Sequence, residues 1–327
     1  MSAGDFLHKN AETSLCEYYA VAGAICRFST NWEQLLEAAR DSFLPVEVPE
    51  PAVDFSVRFW VDHADTAQAP WPKPYVRGLD HLVFAGFDSG SSMLADLRTR
   101  RVIGRFSKDI ASDIAYWKSV IFPILLTIVG ASIGIAELHC ACVARKETGL
   151  LLAGPSGSGK STLAVALSQI GFSFLSDDRT FCSCKNGQVF AWGLPTQLKL
   201  RREAAAWFQE LRKQEPKQEQ GDPVFWLEPE RNLGLNRARR CRPGLVIFLE
   251  RQAASEFRLS RMSPDDSLGH LTKDLLAELP DGVAKRQETI EKLVEIPCWS
   301  LEYGGRPQII AQRISQHVAG STRATSI

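Results

Sequence analysis

The sequence predicts an α/β protein in two parts, a β-rich region over residues 1–110 followed by an α/β nucleotide-type core over residues 111–327. Three observations lead there. Short apolar or alternating runs separated by Pro, Gly and Asp clusters fill the first hundred residues. After residue 138, strand and helix patterns alternate. Within that second stretch, Gly154-Pro155-Ser156-Gly157-Ser158-Gly159-Lys160-Ser161 fits G-x-x-x-x-G-K-[ST] at every position, after an apolar strand and before a helix.

The first region carries strand patterns at 18–28, 53–61, 81–87 and 102–106, interrupted at 45–51 and 69–74. A helical stretch runs from Asp109 through residues 119–136, a window without a charged side chain that reaches the lower length of a membrane span. Pro123, Gly130, Gly134 and its hydroxyl side chains favour a buried core helix instead. A strand is expected at 138–144, another at 149–153, a helix at 161–169, a strand at 172–176 and a hairpin turning at Asn186-Gly187. Residues 210–222 lose their apolar content and read as a solvated loop. Strands follow at 245–249, 257–259 and 298–303, helices at 265–278, 285–295 and 307–318, and a loose tail at 320–327.

Composition narrows the function. The 327 residues hold 38 basic and 38 acidic side chains, so charge balance implies neither a nucleic-acid nor an anionic-membrane partner. Hydrophobic residues at 45% suffice for a core. Eight irregularly spaced cysteines predict reduced thiols and a cytoplasmic location. Asp5, His8, Lys9 and Glu12 break any apolar leader near the N-terminus.

The loop glycines allow backbone N–H groups to wrap a polyphosphate at the positive end of the next helix. Lys160 would reach the β and γ phosphates of ATP and the Ser161 hydroxyl would ligate Mg²⁺. Asp177 and Asp178 close the next strand, at a carboxyl end that faces the ligand crevice of an open sheet. They fit a general base, a metal-holding pair, or a turn or cap without chemistry. His139, fifteen residues before Gly154, by itself fits a histidine without a role.

Together, His139-Cys140-Ala141-Cys142, the loop from Gly154 to Ser161 with Thr162 behind it, and Phe174-Leu175-Ser176-Asp177-Asp178 resemble the catalytic core of the HPr kinase/phosphorylase family. The segment beginning at Arg242-Pro243-Gly244 is similar to a strand of its relatives. The resemblance spans roughly residues 138–318. It implies a P-loop core shared with phosphoenolpyruvate carboxykinases, preceded here by a smaller β-rich N-terminal domain. It also implies ATP- and Mg²⁺-dependent phosphorylation of a serine hydroxyl on a protein or peptide. By position, Asp177 is then the acid/base carboxylate, His139 its catalytic neighbour, Lys160 the phosphate ligand and Ser161 a metal ligand, with Asp178 beside it. Thr162 replaces the glutamate usual in HPr kinases. Their second metal-binding segment is absent, its place taken by Leu198-Lys199-Leu200-Arg201-Arg202-Glu203, where Glu203 is the candidate ligand. The expected acceptor is therefore not HPr itself.

Residues 237–242 form the densest basic cluster, and Arg240 and Arg242 are candidates for neutralising charge on the transferring phosphoryl group, against a plain solvated turn. Cys140-x-Cys142 and Cys182-x-Cys184 imitate half-sites for zinc, but with tighter spacing than structural zinc prefers. A small-molecule kinase, or a nucleotide-binding regulatory module with little turnover, remain the alternatives. Oligomeric state is open, a homo-oligomer included.

Overall fold

The computed structural model describes residues 13–62, 69–219, 222–252, 256–272 and 280–324. They fall into two compact units, one formed by the residues up to Ile133 with a short stretch at Glu278–Val283, the other by the rest from Gly134 onward. The sequence puts the boundary at 110/111; in the structure it lies after the apolar helical run.

In the first unit, β1 (Leu15–Val21) and β2 (Ala24–Thr30) make a hairpin. Ala22 and Gly23, at φ of 48° and 91°, supply the left-handed turn that splits the apolar stretch at 18–28 in two. Then come α1 (Glu33–Ser42), β3 (Leu44–Pro45), β4 (Phe55–Asp62), β5 (Tyr75–Leu79), β6 (Leu82–Gly86), β7 (Ser92–Asp96) and β8 (Arg101–Ser107). The sheet order is β3-β1-β2-β4-β8-β7-β6-β5, with β4 parallel to both β2 and β8.

Next follow α2 (Lys108–Ser112), α3 (Ile114–Tyr116), a π-helical turn at Trp117–Ile121 and α4 (Phe122–Ile133). The π turn stands just before Pro123, which has no N–H to give to an ordinary helical turn. Ile114–Ile133 is long and apolar enough to cross a membrane, with 56% of the apolar window buried. It serves here as core. Phe122 lies 6.2 Å from the Phe28 ring and Trp117 4.6 Å from Phe106, aromatic contacts that tie the run to the first sheet.

The second unit contains β9 (Ala136–Leu138), β10 (Cys140–Arg145), β11 (Thr148–Ala153), α5 (Lys160–Gln169), β12 (Ser173–Ser176), β13 (Thr180–Lys185) and β14 (Gln188–Trp192). After these come β15 (Leu198–Arg201), β16 (Lys217–Glu219), β17 (Asp222–Leu227), α6 (Pro229–Leu233) and the long β18 (Arg240–Arg251). The chain continues with β19 (Arg258–Arg261), α7 (Pro264–Thr272), α8 (Pro280–Val294), β20 (Cys298–Tyr303) and α9 (Pro307–Ala324). The main sheet runs β12-β10-β11-β18-β20-β19, and the first residues of β18 also carry β14, β13 and β9. On one face Leu163 and Leu167 of α5 pack with Ile310 and Ile314 of α9. On the other Leu271, Ile290 and Leu293 close the core over Leu151 and Val246.

Two expectations change. Residues 210–222 hold a 3₁₀ turn and β16, which pairs with β17; an edge strand this polar shows no apolar period. The expected tail at 320–327 is helical through Ala324, and 325–327 lie outside the described residues, as do 273–278 of the helix expected at 265–278.

Leu125 is 3% exposed, so Leu125→Asp places an unpaired charge in an apolar interior and is expected to cost several kcal/mol. A urea melt of the variant should start from an unfolded baseline; wild-type stability would exclude the core role of this helix.

Candidate active site

Strand direction gathers His139, the loop, Asp177 and Asp178 at one edge of the second unit's sheet. β11 ends there and leads into the loop 154–159. β10 is antiparallel to it, with Cys140 opposite Ala153, so His139 arrives at the same edge from the strand's start. β12 is antiparallel to β10, with Ser176 opposite Cys142, and delivers Asp177 and Asp178. β18 and β20 run parallel to β11 and bring Arg251 and Tyr303, which are register partners.

In the loop Gly154, Gly157 and Gly159 take φ of 142°, 84° and 93°, a left-handed path costly for any other residue. A Cβ at Gly154 would stand 2.8 Å from the Leu249 carbonyl oxygen, while one at Gly157 would meet nothing within 4 Å, so the loop is seated on β18 and open at its rim. The Tyr303 hydroxyl donates to the Ser158 carbonyl, and burial pushes its pKa up to about 12. Lys160 is buried at the start of α5, its Nζ donating to the carbonyls of Gly154 (2.8 Å) and Pro155 (3.3 Å). The buried Ser158 hydroxyl has no partner among the described residues. Inward-turned backbone, a buried ammonium and an orphaned hydroxyl fit a polyphosphate.

The two aspartates differ. Asp177 is 7% exposed; its Oδ2 accepts from Lys199 N at 3.3 Å, and the Ser161 hydroxyl lies beside it. Burial, then the neighbouring Asp178 charge, pushes its pKa up to about 7. Asp178 is exposed and pairs with His139 Nε2 at 2.9 Å. The turn between them and β13 is pinned by a 2.6 Å contact of the Ser176 and Thr180 hydroxyls and a 2.9 Å bond from Thr180 to the Cys140 carbonyl.

The structure brings Asp177, Asp178, His139, Lys160 and Ser161 to one edge, with Thr162 half-buried in the first turn of α5. Glu203 lies exposed on the 3₁₀ turn Arg202–Ala206. The described residues contain no group of three His, Cys, Asp or Glu side chains able to hold a metal, neither around Glu203 nor among the cysteines. A Mg²⁺ ion would thus need phosphate oxygens to complete its shell, as Mg²⁺ sites commonly do.

Arg240 and Arg242 are not brought to the loop. Arg242 pairs with Thr148, the first residue of β11, about 17 Å from the loop at ~3.3 Å per residue. Arg251, at the other end of the same strand, sits close enough to Tyr303 to favour ionisation of its phenol. From inside the basic cluster, Arg237 also reaches the neighbourhood of Asp177. It donates to the carbonyls of Leu194 (2.9 Å) and Thr196 (3.1 Å), and burial lowers its pKa. The density of arginines is highest at one end of β18, and strand direction places Arg251 at the other, beside Tyr303.

No family model and no curated protein matches the chain. Among solved structures it matches the Hpr(Ser) kinase/phosphatase from Coxiella burnetii at 13% identity and a TM-score of 0.30, covering 57% of this chain and 98% of that one. Likeness at that level decides neither fold nor activity, and the residues of the site alone carry the functional reading.

Between about pH 4, where an unfolded aspartate loses its proton, and about pH 7, the folded protein keeps the proton on Asp177. Stability of the ligand-free protein is therefore lost as pH rises through that window. Asp177→Asn is expected to melt higher than wild type at pH 8, by about 1–4 kcal/mol, and to match it near pH 4. A variant less stable at pH 8 would mean that the carboxylate is ionised and satisfied.

Proposed function

We propose that the second unit is an ATP- and Mg²⁺-dependent kinase that transfers the γ-phosphoryl group to a serine hydroxyl of a protein or peptide other than HPr. The observation that carries this reading is the meeting, at one sheet edge, of the glycine loop with Lys160 and Ser161 and of a buried carboxylate whose pKa lies near neutrality. A base of that pKa is poised to take a proton at physiological pH.

In this mechanism the N–H groups of the loop and the positive end of α5 hold the phosphates. Lys160 exchanges its carbonyl partners for phosphate oxygens. Mg²⁺ would neutralise charge on those oxygens, with Ser161 and an aspartate as its protein ligands. Asp177 accepts the proton of the attacking hydroxyl, and His139 holds Asp178 against the turn. Arg251 approaches from the end of β18 and offers a guanidinium to the charge that grows in transfer. The choice of a peptide acceptor is supported by the lack of a recognisable motif for a sugar, nucleoside or amino acid beside the loop, and by a strand-end position of the kind at which open sheets take their ligands.

Purified protein with labelled ATP and Mg²⁺ should label serine in a peptide or small protein; transfer to a metabolite alone, or tight binding without turnover, would replace this reading with a small-molecule kinase or a regulatory module. Lys160→Ala should lower transfer by orders of magnitude with an unchanged melting curve. Asp177→Asn should keep ATP binding and lose transfer, because an amide does not accept the proton; equal loss of both would make Asp177 a metal ligand. Arg251→Ala should cut kcat about 10²-fold, in line with removal of one preorganised donor, and Arg242→Ala should leave kcat within about twofold.

A further inference from the structure

At the far end of β18, Arg240 and Arg242 have surroundings that phosphoryl transfer leaves unexplained. Both are exposed. β14 lies alongside, pairing Trp192 with Arg240 and Ala191 with Cys241, a register that puts Phe190 level with Arg242. The Arg240 guanidinium stands 5.4 Å from the Phe190 ring centroid and 5.5 Å from that of Trp192, and the Arg242 guanidinium stands 5.6 Å from Phe190. Trp192 is buried beneath them. Among the described residues neither arginine has a carboxylate partner, whereas Arg40 pairs with Glu17 and Glu33, Arg98 with Asp80 and Arg105 with Asp62. The β10–β11 turn brings Lys146 and Glu147 to this end; Arg242 N donates to the Glu147 carbonyl at 2.8 Å, and the Glu147 carboxylate pairs with neither arginine.

Stacking on a ring covers one face of a guanidinium and leaves its in-plane N–H donors directed outward. It also fixes a long side chain before any ligand arrives, which removes part of the entropy cost of binding. Two residues apart on one strand, the arginines project from the same face about 7 Å apart. Alternate side chains of another extended chain have that same spacing.

We propose that this arginine–aromatic face docks an extended acidic segment of a partner protein, with carboxylates at alternate positions, Glu-x-Glu or Asp-x-Glu, each held by one guanidinium fork. Single-stranded nucleic acid fits less well. Its bases need free aromatic faces, and here Trp192 is buried while Phe190 already carries both guanidiniums. The chain's balanced charge adds no general attraction for a polyanion. The surface is independent of the kinase reading, and its occupancy leaves the loop edge open.

The test is fluorescence anisotropy of the full chain with a labelled Ser-Glu-Ser-Glu-Ser-Glu peptide at about 50 mM salt, where such contacts are weakly screened. Binding should weaken as salt rises and fall at least about tenfold when Arg240→Ala and Arg242→Ala are combined. The paired Arg→Lys variant, which keeps charge without the planar fork, should recover only part of it. Absence of binding, equal binding by the double-alanine variant or equal binding of a Ser-Lys-Ser-Lys-Ser-Lys peptide would overturn the proposal. Full recovery by the lysine pair would overturn the forked geometry. Tighter, arginine-dependent binding of a labelled oligo-thymidine would make the face a nucleic-acid site instead.

Discussion

The parallel pairing of β11 with β18 is the constraint on which the second unit depends. Once these two strands run the same way, the loop after Ala153 and the residues after Leu249 share an edge. The antiparallel neighbours β10 and β12 must then deliver His139 at a strand start and Asp177 at a strand end. The pairing also sets a packing demand at the opposite end: a Cβ at Gly149 would collide with the Cys241 sulfur, so the strands close there only around glycine. Nothing in the loop motif by itself requires this arrangement. The site is a property of strand direction, and the motif fills the place that direction creates.

Electrostatically the edge is unsettled without a ligand. A buried ammonium donates to the carbonyls of Gly154 and Pro155, and a buried carboxyl holds its proton to near neutral pH because water is excluded and a second carboxylate stands beside it. Groups perturbed in this way mark functional edges more often than they stabilise folds. The surrounding strands, buried on both faces, supply the stability that lets these groups persist.

How far the sequence could be read follows the same division. The loop was legible because glycines at fixed spacing before Lys160 and Ser161 dictate a left-handed turn between a strand and a helix, and the aspartates were legible as a strand-end pair. Their separate roles were not, since Asp177 turns inward and Asp178 outward through a turn pinned by Thr180 and the Cys140 carbonyl, a contact spanning forty residues. Local density pointed to Arg240 and Arg242, while topology brings Arg251 to the loop. The apolar run at 119–136 was legible as core, but the membership of its helix, through Ile133, in the first unit rests on ring contacts such as Phe28 with Phe122, which no local pattern contains. The polar strand β16 leaves no period to read.

The bond from Tyr303 to the Ser158 carbonyl joins residues 145 positions apart. During synthesis the glycine loop is made long before the strand that steadies it. At about 5–20 residues per second, the ribosome needs roughly 7–30 s to travel between them. Through that interval the nascent chain holds a glycine loop without its prop, so a seated loop should be among the last features the growing polypeptide acquires, and premature termination before β20 should yield fragments in which the motif is intact but the loop has lost its anchor.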